Sequence, residues 1–232
     1  MHKMQGLYVI TDGSTGDTLL SKVEQALRGG AAIVQYRDKT TDQARREQEA
    51  AALRSLCQQH HALFIINDDV ALAKAVQADG VHVGRDDSAL TAARDALGKA
   101  AIIGVSCYNQ LELALNAAEQ GADYIAFGSF FPSPTKPNAP RATLELLHQA
   151  RQQLTLPICA IGGITLDNAP ICWQTARICS RSSPMYSVAR RLQNRRVAIR
   201  HWFGNIVWLI QHRRFWGDCA KRVFQCRPRI RA

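Results

Sequence analysis

Apolar residues along the first 170 positions gather in short, nearly continuous runs. These are GLYVI (6–10), AIVQY (32–36), LFIIN (63–67), GVHV (80–83), AIIGVS (101–106), DYIAFG (123–128) and PICAIG (157–162). Runs of this kind fit strands buried on both faces, as in a parallel sheet. Between them lie segments rich in Ala, Gln, Leu and Glu, at 18–28, 42–61, 70–78, 88–97, 110–120 and 142–154, with helical composition. Gly29, Gly30, Gly98 and Gly121 stand where helices should end. Asp17, Thr41, Asn109 and Asp167 stand near where they should begin. The pattern predicts seven strands, six connecting helices and a seventh helix starting at Leu166.

Each crossover is long enough for a right-handed βαβ unit. An open doubly wound sheet and a closed barrel both accept that rhythm. The first strand–helix turn lacks G-x-G-x-x-G, and polar residues follow many strands rather than clustering at one crevice. Both points favour an α/β fold of the (β/α)8 TIM-barrel type. Regularity stops near Pro170, so the eighth strand and final helix are expected to be missing or replaced. The chain divides into a barrel domain, 1–170, and a tail, 171–232.

Composition changes the picture only at that boundary. The formal charge of +10 would suggest an anionic partner. Residues 1–170, however, hold 15 Lys and Arg against 18 Asp and Glu, whereas the tail holds 14 basic residues against the single acid Asp218. All four tryptophans and four of the seven cysteines also lie in the tail. The basicity therefore says nothing about the barrel. The opening MHKMQGLYVITDG shows no cleavage pattern, and no apolar run approaches the roughly 20 residues of a membrane span. Cys57, Cys107 and Cys159 are isolated, which predicts a reducing, cytoplasmic compartment.

In a barrel the residues just after each strand build the site. Here those are Gln35 to Lys39, Asn67-Asp68-Asp69, Gly84 to Asp87, Ser106, the segment GSFFPSPTKPNAP, and Gly162-Gly163. Two carboxylate clusters and several cations on one rim suggest a metal–phosphate site. Mg2+ takes one or two carboxylates and fills its other positions with water and phosphate oxygens. Asp68 and Asp87 are the natural pair. Arg37, Lys39 and Lys136 can neutralise a pyrophosphate, and Ser133, Thr135 and backbone amides near the glycines can donate to phosphate. Each has a plainer alternative. Asp68 or Asp69, and Asp86-Asp87-Ser88, can cap helices. Lys136 can be a solvated loop residue, and Gly162-Gly163 a tight turn. His60 and His61 read as a helix end, His82 as part of the barrel wall, and Cys107 and Cys159 as small buried residues.

The motifs GLYVITD, QYRDK, FIINDD, DGVHVGRDD, GVSCYN, FGSFFPSPTK and AIGGIT occur in this order. Over about residues 5–170 the chain resembles the thiamine-phosphate synthase family. The resemblance implies a TIM barrel that condenses 4-amino-2-methyl-5-hydroxymethylpyrimidine pyrophosphate with hydroxyethylthiazole phosphate, giving thiamine phosphate and pyrophosphate. It implies Asp68 and Asp87 as Mg2+ ligands. It implies Gln35, Arg37, Lys39 and Asn67 as pyrimidine-pyrophosphate contacts, and Ser106 and Lys136 as groups near the departing pyrophosphate. Ser133, Thr135 and Gly163 are implied as thiazole-phosphate contacts. Lys136, Ser106 and Arg37 are the expected catalytic groups. Arg85 departs from the Gln more usual in the family. The expected partners are the two small substrates, with neither membrane nor nucleic acid.

The family continues after GGIT with a helix, a Gly-Ala-Asp turn and an eighth strand. This chain instead gives an Arg-rich stretch with scattered Trp and Cys. Codons can be chosen for the residues from Ile171 onward so that a shift of two bases reads LLANGADMLAVI, the missing helix end, turn and strand. The tail is therefore expected to be out of frame and non-native, the barrel poorly soluble with open edges at its first and seventh strands, and activity nearly absent. Two other readings stand beside this one. A thiazole tautomerase-like barrel would not need the Asp68/Asp87 pair. A nucleic-acid-binding protein would act through its basic tail, and RRVAIRHWFGNIVWLIQHRR could then form an interfacial helix.

Overall fold

The structure is a computed structural model that describes residues 4, 6–84, 87–132, 140–165, 168 and 206–210. Seven parallel strands follow one another in the sheet: β1 (Gly6–Ile10), β2 (Ala31–Tyr36), β3 (Leu63–Asn67), β4 (Gly80–Val83), β5 (Ile102–Tyr108), β6 (Tyr124–Gly128) and β7 (Ile158–Ile164). Six helices connect them: α1 (Gly16–Arg28), α2 (Gln43–Gln59), α3 (Val70–Ala75), α4 (Asp87–Leu97), α5 (Leu111–Glu119) and α6 (Leu144–Gln153). All seven predicted strands and all six predicted connecting helices are present, with shifted ends. The expected start of a seventh helix at Leu166 lies outside the described residues.

Some helix starts shift by one or two residues from the predicted caps. The cap of α2 is Asp42, whose carboxylate accepts from Arg45 N at 3.1 Å, rather than Thr41. Thr15, two residues before Asp17, occupies the cap position of α1, and Gln110 rather than Asn109 occupies that of α5. The C-cap of α2 is His60, with His61 in a left-handed conformation (φ 55°) just beyond it, as read from the sequence.

Two apolar layers hold the barrel. Inside the ring pack Tyr8, Ile10, Ile33, Ile65, Tyr124 and Cys159. Outside it, strand residues such as Val34, Phe64, Ile103 and Phe127 pack against the inner faces of the helices, including Leu53, Leu90 and Leu147. The near-continuous apolar runs reflect this burial on both faces.

At the end where the strands begin, one device occurs twice. Asp79, just before β4, accepts from Phe64 N at 2.8 Å and pairs with Arg54 of α2 at 3.2 Å. Asp123, just before β6, accepts from Ile103 N at 2.8 Å and pairs with Arg94 of α4 at 2.7 Å. Each carboxylate caps the neighbouring strand while a helix arginine balances its charge, which fixes register away from the other rim.

The sequence predicts open edges at β1 and β7, and here the structure differs. A strand from the tail, β8 (Ile206–Ile210), pairs antiparallel with both and closes the ring. Unpaired backbone groups at two facing sheet edges offer a template for any β-prone segment, and IVWLI is such a segment. It is a strand, not part of an interfacial helix. Because it runs antiparallel, Ile206 lies beside Val9 and Leu209 beside Gly6. The closing strand therefore starts, rather than finishes, at the rim where the seven parallel strands end. The fold is α/β, with seven parallel strands and an antiparallel substitute for the eighth.

Candidate active site

Parallel pairing brings the strand ends to one rim. Ile10 is level with Gln35, Gln35 with Ile65, Asn67 with His82, and Ser106 with Ala126. Of the residues expected there, Gln35, Arg37, Lys39, Asn67, Asp68, Ser106 and Gly163 all lie at this rim. Asp87 is described by its backbone, as the first residue of α4 after β4. Ser133, Thr135 and Lys136, together with Arg85 and Asp86, lie outside the described residues.

The structure separates the two aspartates after β3. Asp69 caps α3, accepting from Leu72 N at 2.9 Å, and pairs with Arg46 at 2.7 Å. Asp68 does neither. It is exposed, its backbone N–H is tied to the His82 carbonyl at 2.8 Å, and its carboxylate accepts from Asn67 Nδ2 at 2.7 Å. Its φ of 62° puts a non-glycine residue in the left-handed region at a strand end, a feature that tends to accompany functional sites. Asp68 is thus a hard oxygen donor of the kind magnesium takes, without an ion pair among the described residues, and Asp87 opens α4 after the neighbouring strand.

The loop after β2 is held from behind. Thr11 Oγ1 accepts from Arg37 N at 2.9 Å and donates to Arg37 O at 3.2 Å, which locks that turn to β1. Below it, buried Glu49 accepts from Gly16 N at 2.8 Å and from Tyr36 Oη at 2.7 Å, and pairs with Arg45 at 3.3 Å. Arg45 also reaches Asp38 at 2.9 Å. Burial pushes the Asp38 carboxyl up, but hydrogen bonds from Thr40 and the Arg45 charge outweigh it and leave the group below the usual range. Arg37 is half-buried and Lys39 exposed. Asp38 is thus committed to the support, leaving the two cations beside it for a ligand.

The sequence reading named Gln35 and Ser106 for the rim and His82 for the barrel wall, but missed Tyr8 and Tyr124, which join them across the barrel beneath the rim. Gln35 Nε2 donates to Tyr8 Oη at 2.9 Å, and Tyr8 Oη bonds Tyr124 Oη at 2.9 Å. Tyr124 Oη meets His82 Nδ1 at 2.9 Å, and His82 Nε2 meets Ser106 Oγ at 2.9 Å. His82 faces the barrel interior and stacks on Tyr124, with ring centroids 5.5 Å apart. Burial pushes its pKa down to about 4 and those of both tyrosines well up. Gly104 makes the crossing possible: a Cβ there would stand 1.9 Å from the Tyr124 ring. The available signal was parity, since Tyr8, Gln35, His82, Ser106 and Tyr124 all occupy inward positions of their strands.

Gly162 and Gly163 adopt φ of 95° and 63°, and the chain after β6 lies close against both. A Cβ on Gly163 would lie 2.3 Å from the Pro132 carbonyl oxygen. Phe131 N donates to Gly162 O at 2.9 Å, joining the two strand ends. Cys57 and Cys107 are pushed up to about 12 by burial, and Cys159 well above its ordinary value. All three thiols are buried packing groups, as expected for Cys107 and Cys159.

The sequence matches the family described as thiamine monophosphate synthase over residues 7–181. It is 57% identical over 172 residues to the thiamine-phosphate synthase of Alcanivorax borkumensis, covering 73% of this chain and 79% of that one. It is 55% identical over 169 residues to the thiamine-phosphate synthase of Thioalkalivibrio sulfidiphilus, covering 72% and 80%. Among solved structures, the thiamine phosphate pyrophosphorylase from Pyrococcus furiosus superposes with a TM-score of 0.69 at 32% identity, covering 83% of this chain and 96% of that one. The chain belongs to the thiamine monophosphate synthase family.

Proposed function

We propose that the rim condenses 4-amino-2-methyl-5-hydroxymethylpyrimidine pyrophosphate with hydroxyethylthiazole phosphate, releasing pyrophosphate, and that Asp68 and Asp87 hold the Mg2+ this requires. The observation that carries the reading is Asp68: an exposed carboxylate on a left-handed backbone just past a strand end, beside a neighbour already used as a cap. Bound magnesium would spread the charge of the departing pyrophosphate. Arg37, Lys39 and Lys136 neutralise the rest, and Ser106 donates to one of its oxygens. Gln35 and Asn67 orient the pyrimidine. Ser133, Thr135 and Gly163 hold the thiazole phosphate, so the thiazole nitrogen meets the pyrimidine methylene carbon. The C–N bond forms as the C–O bond to pyrophosphate breaks, with no protein nucleophile. Chemistry of this kind, on substrates this polar, suits a cytoplasmic enzyme.

The tail decides how much of this activity the chain retains. In the reading proposed here, residues after about 170 are out of frame. The family match runs a short way past that point, to 181, and stops far short of residue 232, and the strand closing the ring runs against the other seven. A parallel eighth strand would finish at the rim and complete the thiazole-phosphate cradle, but β8 does not finish there. The pyrophosphate half of the site draws on β2 to β6 and is untouched. Closure of the ring also removes the ground for expecting edge-driven aggregation. The test is thiamine phosphate formation by the purified 232-residue chain beside a frame-restored version. The restored chain should turn over at least about 100-fold faster, as loss of a phosphate-binding element implies, and chelation of Mg2+ should stop it. Equal rates would remove the frame reading, and activity unchanged by chelation would remove the metal.

A further inference from the structure

The hydrogen bonds beneath the rim form one unbranched chain whose two ends, Gln35 and Ser106, both belong to the site proposed above. Its direction follows from donor counting. An amide nitrogen only donates, so at the Gln35 Nε2 contact the Tyr8 oxygen accepts. The Tyr8 proton then goes to its other partner, Tyr124. Tyr124 is fully buried, and a buried hydroxyl proton without an acceptor is costly. Its remaining partner is His82 Nδ1, which must therefore be the unprotonated nitrogen. The imidazole proton sits on Nε2 and is donated to Ser106 Oγ. Ser106 has accepted, so its own proton is left for the rim. Gln35, having donated, keeps its Oε1 as an acceptor.

We propose that Tyr8, Tyr124 and His82 form a polarity relay that fixes Gln35 as an acceptor and Ser106 as a donor toward the ligand. The inference rests on the synthase reading and deepens it. An anionic phosphate oxygen offers only acceptors, so a serine beside it must donate. The amino group of an aminopyrimidine needs an acceptor, and the Gln35 Oε1 supplies one. A Gln35 amide turned round would reverse every link at once and leave Ser106 with a lone pair facing an anion. The three relay members are positioning residues, because they set the ends without being the groups that meet the charge.

The test is nitrogen NMR of the full-length chain labelled at histidine, with His82→Gln used to assign the ring. His82 should appear as the neutral form protonated at Nε2. In Tyr124→Phe, and separately in Tyr8→Phe, that preference should weaken, because the hydroxyl that selects it is gone or no longer oriented. Inorganic pyrophosphate is the second probe. Ser106→Ala should weaken its binding about tenfold, and Tyr124→Phe should weaken it less. The double variant should be no worse than Ser106→Ala alone, because the relay acts only through the serine. A purely structural tyrosine would give additive losses. An Nδ1-protonated His82, a tautomer indifferent to both tyrosine substitutions, or additive losses would overturn the relay. Pyrophosphate that fails to bind while Nε2 protonation persists counts against the synthase reading and leaves the polarity standing.

Discussion

At the scale of single residues, neighbouring and chemically identical groups separate by what their partners leave free. Asp68 and Asp69 could each cap α3, and the sequence leaves both open. The backbone assigns the cap to Asp69 and turns Asp68 to the rim. Asp69→Ala should therefore cost about 1–2 kcal/mol of stability, the worth of a cap and a partly exposed ion pair, whereas Asp68→Asn should cost under about 0.5 kcal/mol; urea denaturation of both variants checks the contrast. His82 makes a second prediction. Burial holds its folded pKa at about 4, below the ordinary value of about 6.5 in an unfolded chain. Between those values the unfolded state binds the proton and the folded state does not. Stability thus rises with pH through that window and is lost as pH falls from about 6.5 to about 4, by about 3 kcal/mol at the lower end. His82→Gln should abolish this part of the acid loss, so the urea midpoints of the two proteins should converge at low pH. A constant difference between about pH 7 and pH 4.5 would show that His82 does not titrate this way.

At the scale of elements, β2, α1 and α2 act together through Glu49. Its carboxylate receives the first backbone N–H of α1, the Tyr36 hydroxyl of β2 and the Arg45 guanidinium of its own helix. Glu49→Ala leaves the Gly16 N–H, the buried Tyr36 hydroxyl and a cation without that partner. It should cost about 3 kcal/mol, measured by urea denaturation, and should release the loop that carries Arg37 and Lys39. The elements themselves were legible. Apolar runs such as LFIIN and GVHV carry no strict alternation because both faces are covered, and that alone marks a parallel sheet. The rim was legible where it depends on strand ends, as in the placement of Asn67 and Asp68. It was not legible beneath the rim. Tyr8 and Tyr124 look like ordinary apolar members of their strands, and only the closed ring brings their hydroxyls within 2.9 Å. Glu49 was hidden as well, as one of two acids on a polar helix, because only the fold brings Gly16 and Tyr36 to it.

At the scale of the whole molecule, the ring is closed by a segment whose residues carry no family motif and no βαβ rhythm to place it there. Edge pairing needs only β-prone residues and free backbone groups, so a stretch without family character can fill the gap between β1 and β7. It cannot supply a strand C-terminus at the rim. In the function proposed above, that asymmetry falls on the thiazole-phosphate half of the site, whereas the ends of β2 to β5 keep their parallel arrangement. The most direct measurement is calorimetric titration of the 232-residue chain with inorganic pyrophosphate, with and without Mg2+. Binding should appear with Mg2+ and weaken at least about tenfold, a difference of about 1.4 kcal/mol, when Mg2+ is withheld or Asp68 is replaced by Asn. Pyrophosphate bound equally well without the metal and by Asp68→Asn would contradict the account.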